Sequence, residues 1–194
     1  MLTGLSDKDL RGQAFDDEAI IALIVDSDLV IAHNAAFDRP FLERRFPSLK
    51  QKAWACSLTQ IDWLALGFDG RSLGHLLVQS GRFFEGHRAA NDTAALTTLL
   101  GFELTDGRTV LSHLLDRCEV DSIQVDAINA PFEAKDMLKG KGYRWDPERR
   151  FWGREVDKKD LTEEMDWLDQ YVYQGHGKAN FRTITPCERF KSRS

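Results

Sequence analysis

The chain has 194 residues, a formal net charge of −5, 42% hydrophobic and 29% charged residues. That composition fits a soluble globular chain with room for one large domain, or one medium and one small. The charge disfavours broad electrostatic binding of nucleic acid but allows a local basic groove. No run of about 18 apolar residues suggests a membrane span. The opening residues lack a basic-then-apolar leader, and Cys56, Cys118 and Cys187 show neither disulfide nor zinc spacing. The expectation is a cytoplasmic protein. The acidic excess lies in residues 1–124 and the remainder is slightly basic, so a boundary is placed near residue 120.

In chain order, Asp16 and Asp17 are placed to cap a helix through about Asp26, with Ala19, Ile20, Leu23 and Ile24 on one face. Leu29–Ala32 is a continuous apolar run, which suits a strand covered on both faces in a mostly parallel sheet. A helix is expected from Asp38 to Arg45, with Phe37, Phe41 and Leu42 inward and Pro40 in its first turn. Ala53–Ser57 reads as a second strand, then Thr59–Leu66, Ser72–Gln79 and Asn91–Leu100 as helices. Thr109–Arg117 is a further helix or part of a linker. Beyond it Ser122–Ile128 alternates as a strand, Pro131–Lys139 is helical, and Tyr143–Trp145 with Phe151–Val156 forms a hairpin. Leu161–Val172 is helical and Asn180–Thr185 is a last strand. The later order, β-α-β-β-α-β, is that of a ferredoxin-like unit. The expected organisation is an α/β domain at 1–104, a linker or helix at 105–120, a small α+β domain at 121–186 and a tail at 187–194.

Two patterns carry chemistry. Asp38 follows a buried strand at a helix start, the crevice where open α/β sheets bind ligands. Asp92 lies in the first turn of its helix, and His87 precedes it by five residues. Two-metal phosphodiester hydrolysis needs several carboxylates around paired ions, with a histidine able to deprotonate water. His33-Asn34-Ala35-Ala36-Phe37-Asp38 and His87-x-x-x-x-Asp92 resemble the second and third motifs of the DEDDh (DnaQ-like) 3′–5′ exonucleases, a family that includes the proofreading ε subunit of bacterial DNA polymerase III. Leu2-Thr3-Gly4-Leu5-Ser6 is similar to the segment after that family's third strand.

The resemblance spans residues 1–100 and implies a ribonuclease H-like fold. It implies Asp92 and Asp38 as ligands to Mg²⁺ or Mn²⁺, His87 as general base, and Asn34 and Phe37 along the path of the 3′-terminal nucleotide. DNA 3′ ends are the implied partner, with a DNA polymerase or repair complex beyond. The family's first motif, Asp-x-Glu, is not matched on a strand. The formal matches Asp16-x-Glu18 and Asp146-x-Glu148 read as a helix cap and a hairpin turn. The expectation is therefore an exonuclease fold lacking its first three strands, with the Leu29–Ala32 edge left open. His33 is expected to be structural.

Residues 129–154 carry a basic excess interleaved with aromatics, and resemble an accessory module that follows DnaQ-like exonucleases. Arg144, Trp145, Arg150 and Trp152 are candidate contacts to single-stranded nucleic acid; the alternative is that the aromatics form the core of a small hairpin domain. Two further readings stay open: a non-catalytic nucleic-acid-binding or interaction protein derived from a nuclease, and a partner that supplies the two motifs to another chain.

Overall fold

A computed structural model of the chain describes residues 5–83, 86 and 89–191. The chain divides into two compact units. Unit 1 comprises residues 1–119 and 186–194, and unit 2 residues 120–185. Unit 2 is thus an insertion within unit 1. The expected tail at 187–194 falls in unit 1, as do residues 105–119 of the expected linker or helix.

In unit 1, α1 (Asp7–Leu10) and α2 (Asp17–Asp26) precede β1 (Leu29–Ala32). Next come α3 (Ala35–Arg45), β2 (Ala53–Cys56), α4 (Leu73–Gln79), α5 (Ala89–Leu100) and α6 (Val110–Cys118). Strands β1 and β2 pair in parallel, Leu29 opposite Ala53 through Ala32 opposite Cys56. Because side chains alternate along a strand, the two faces bury different sets. Leu29, Ile31 and Ala55 pack with Trp63, Leu77, Leu99 and Leu114 of the larger core. Val30, Ala32, Trp54 and Cys56 pack with Ala35 and Leu42 of α3. Helix α3 therefore lies on one face and α4–α6 on the other. Among the described residues β1 pairs with β2 alone, and all four of its residues are only half-buried.

The Asp16 side chain accepts from the Ala19 N–H at 3.0 Å and caps α2. None of that helix's apolar residues is buried, and Leu23 is 74% exposed. The helix expected at 59–66 is instead a run of turns. Two polar side chains bond the main chain there: Gln60 Oε1 accepts from the Cys56 N–H at the end of β2 at 2.7 Å, and Asp62 Oδ1 from the Ala65 N–H at 3.1 Å. Trp63 and Phe68 then anchor the segment edge-to-face, with ring centroids 5.2 Å apart. Helix α6 is capped by Thr109 and buries Val110, Leu114 and Cys118 in the larger core, so of the two alternatives for 105–120 the helix is the one present.

The C-terminal segment is bound into unit 1 by Arg39, which is wholly buried on α3. Its Nε donates to Glu43 Oε1 at 2.6 Å, Nη1 to Arg189 O at 2.6 Å, and Nη2 to Cys187 O at 2.7 Å and Lys50 O at 3.1 Å. Only a guanidinium offers a fork of donors wide enough for this. The Trp54 N–H of β2 donates to Pro186 O at 3.2 Å, and Arg189 Nη1 to Cys118 O at 3.2 Å.

In unit 2, β3 (Ser122–Ala127), α7 (Lys135–Gly140), β4 (Arg144–Asp146), β5 (Phe151–Asp157), α8 (Leu161–Trp167) and β6 (Asn180–Ile184) follow the order β-α-β-β-α-β. The sheet order is β4-β5-β3-β6, all neighbours antiparallel, so β5 lies between β3 and β4. Val125, Ala127, Leu138, Tyr143, Trp152 and Leu168 form the core. The buried Glu164 carboxylate of α8 accepts from Tyr143 OH at 2.7 Å and Arg154 Nη1 at 3.1 Å. Burial, then the bond to Glu164, pushes the Tyr143 phenol far up. Among the described residues no helix is long and apolar enough to cross a membrane.

Removing Arg39 alone leaves Glu43 buried without its cation and several carbonyls without donors. Arg39→Met is expected to cost unit 1 about 3–5 kcal/mol in urea unfolding. A loss below about 1 kcal/mol would show that the clasp does not hold the C-terminal segment.

Candidate functional site

The residues between β1 and α3 are shaped by one backbone turn. Asn34 takes a left-handed conformation, φ 88° and ψ 49°, and stands at the N-terminus of α3. Asparagine tolerates that region better than most residues. The turn carries the chain from β1 straight into α3, and brings Asp38 into the first turns of the helix just past the strand's carboxyl end. Asn34 itself is exposed and its side chain does not cap the helix.

Asp38 is exposed and makes no ion pair among the described residues. Partial burial raises its pKa above the usual carboxylate range, with a smaller opposing contribution from its own main chain. The helix dipole favours the anion at this end, but among the described residues no cation pairs with it.

His33 is half-buried. Its Nδ1 lies 2.9 Å from Ser57 Oγ, and its Nε2 is buried without a well-formed hydrogen bond. Desolvation lowers its pKa, only partly countered by a main-chain contact with Arg71. The ring ties the end of β1 to the end of β2, a positioning role.

Asp92 stands in the first turn of α5 and is half-buried. Asp38 and Asp92 thus begin helices on opposite faces of the β1–β2 pair. His87 lies outside the described residues. Among the described residues no three His, Cys, Asp or Glu side chains gather where an ion could be held. Asp38 and Asp92 therefore do not by themselves fit the pair of Mg²⁺ or Mn²⁺ ions that the family resemblance implies. The two formal Asp-x-Glu matches do not supply the rest. Asp16 is the α2 cap, and the Asp146 carboxylate accepts from the Glu148 and Arg149 N–H groups, both at 3.0 Å, to shape the hairpin turn.

The expectation that Phe37 and Phe41 face inward is corrected. They are 61% and 58% exposed, with ring centroids 5.1 Å apart. The buried side of α3 is taken by Ala35, Arg39 and Glu43 instead. Arg39 takes the inward position because the returning C-terminal segment presents the Cys187 and Arg189 carbonyls to it.

In unit 2 the four candidate contacts separate. Trp152 is buried in the core, with Trp145 tilted against it at 5.6 Å between centroids, so Trp152 is withdrawn from any surface role. Trp145, Arg144 and Arg150 are exposed on the β4–β5 hairpin. Arg150 is held at φ 60° with its N–H donating to Asp146 O at 2.8 Å.

Comparison with known proteins adds no relative: no family model, no curated protein and no solved structure matches this chain.

Two pH effects follow. The folded state holds the Asp38 proton more tightly than the unfolded chain does, so this group removes stability as pH rises through the carboxylate range. Asp38→Asn should therefore melt higher at pH 7, by about 1–3 °C, with the gain absent near pH 3. A lower melting temperature at pH 7 would mean that the carboxylate is structural. His33 has the opposite sign. Its folded pKa lies below the unfolded value, so its contribution is complete above about pH 6.5 and is lost as pH falls below it. His33→Gln should flatten the decline in unfolding free energy between pH 7 and 5; an unchanged slope would assign the decline to other groups.

Proposed function

We propose that the chain is a nuclease of the DEDDh exonuclease type, acting on phosphodiester bonds at nucleic-acid 3′ ends, with DNA as the first substrate to test. The observation that carries this reading is Asp38. It is a carboxyl with no ion pair among the described residues and a raised pKa, in the first turn of α3, just past the carboxyl end of a parallel strand. A carboxyl placed there without a cation partner among the described residues fits a site better than a scaffold. The His87-x-x-x-x-Asp92 spacing, with Asp92 in the first turn of α5, supports the same reading.

In this account His87 accepts the proton of the attacking water, and Asp38 and Asp92 would supply two of the carboxylates that hold divalent cations against the scissile phosphate. Divalent ions would neutralise the charge on the departing oxygen when bound. The described residues provide only part of a donor set for them, so activity depends on further carboxylates. Asn34 and Phe37 border the approach to Asp38.

A second reading, nucleic-acid binding without cleavage, is favoured by one observation. Trp145, Arg144 and Arg150 are each exposed on the unit 2 hairpin, an aromatic ring and two cations on one short segment.

The assay uses purified chain, 3′-labelled single-stranded DNA, and Mg²⁺ or Mn²⁺. The nuclease reading expects release of mononucleotide, reduced at least about 100-fold in His87→Ala, as for loss of a general base. Binding without release in the wild type would replace it with the second reading.

A further inference from the structure

One face of α3 exposes two aromatic rings and a cation in register. Phe37, Phe41 and Arg44 stand at positions i, i+4 and i+7, which share a helix face. The two rings lie 5.1 Å apart between centroids at an interplanar angle of 46°. The Arg44 guanidinium carbon stands 5.7 Å from the Phe41 centroid. Neighbouring arginines are engaged elsewhere: Arg39 is buried, and Arg45 is bound to Asp17 through Nη2 at 2.8 Å. Arg44 makes no ion pair among the described residues. Asp38 sits three residues before Phe41, so the acid borders the stripe.

We propose that this face is a track for single-stranded nucleic acid, in which bases stack on Phe37 and Phe41 and a backbone phosphate is held by Arg44. The track rests on the nuclease reading only in that it delivers the strand to Asp38; as a binding site it stands alone. Two exposed phenylalanines side by side are costly in water and call for a partner with flat apolar faces. Arg44 decides what kind. An apolar protein surface laid over the rings would strip water from the guanidinium and leave it without a counter-charge, at a cost of several kcal/mol. A nucleic-acid strand brings both parts, since every base has a π-face for the rings and every linkage an anion for the arginine. Phe41 and Arg44 are thus positioning residues for the strand, beyond the Asn34 and Phe37 that the motif marks.

The test is fluorescence anisotropy of a labelled ten-residue oligothymidylate in EDTA, so that binding is read without cleavage. The wild type should bind. Phe41→Ala should weaken binding about 5- to 150-fold, the worth of one stacked base, while Phe41→Tyr retains it. Arg44→Ala should weaken binding and lower the slope of log affinity against log salt by about 0.7, one single-strand phosphate. All three side chains are on the surface, and circular dichroism melting checks that each variant folds. Wild-type affinity in both alanine variants, or no binding by the wild type, overturns the track. So does a Phe41→Ala variant that binds DNA normally but loses a self-association seen in the wild type by ultracentrifugation, since the face would then be a protein interface. Failure of the nuclease reading is distinguishable: a wild type that binds through Phe41 and Arg44 yet releases no nucleotide with Mg²⁺ or Mn²⁺ sinks cleavage and leaves the track standing.

Discussion

A single buried guanidinium organises unit 1. Arg39 joins α3, the loop before β2 and the returning C-terminal segment through four hydrogen bonds, and stacks its charge over Trp54 at 5.8 Å. A buried charge is tolerated only when fully paired. The residues that pair it are drawn from positions about 150 apart in sequence. That requirement brings the segment after unit 2 back onto unit 1, and makes unit 2 an insertion. It also sets the rotation of α3. With Arg39 inward, Phe37, Phe41 and Arg44 must face out, and Asp38 stands at the border between the two sides.

The candidate site inherits this geometry. Asn34 takes the left-handed turn, α3 begins at once, and Asp38 follows β1 by six residues. What α3 presents to solvent is therefore an acid flanked by two rings and a cation. The opposite face of β1 and β2 is filled by α4–α6, and there α5 starts with Asp92. The acids of the two motifs are borne on separate helices, one from each layer, and the short sheet between them is what relates them.

Much of this was legible in the chain. The run Leu29–Ala32 is a strand because it is apolar throughout, and Asp16 is a cap because it precedes an apolar-periodic segment. The capping Thr109 and the hairpin around Asp146 also follow from local chemistry. Other features were not legible, because they depend on distant partners. Arg39 is an ordinary surface-type residue in sequence, and nothing near it announces carbonyls from Cys187 and Arg189. Phe41 reads as core by hydrophobicity alone; the signal that it is not core is the spacing it shares with Phe37 and Arg44. The failed helix at 59–66 turned on side chains, Gln60 and Asp62, that satisfy the main chain locally. Trp152 and Trp145 are neighbours across the hairpin, and only the packing under the sheet decides which is buried.

The central claim is that a nucleic-acid 3′ end lies on α3 beside Asp38. A single-stranded oligonucleotide ending in a 3′ photoreactive thymidine, cross-linked to the chain and mapped by peptide mass spectrometry, tests it directly. The account predicts cross-links within residues 34–44, with any second set near Asp92. Cross-links confined to the unit 2 hairpin around Trp145, or their absence from residues 34–44, would contradict it.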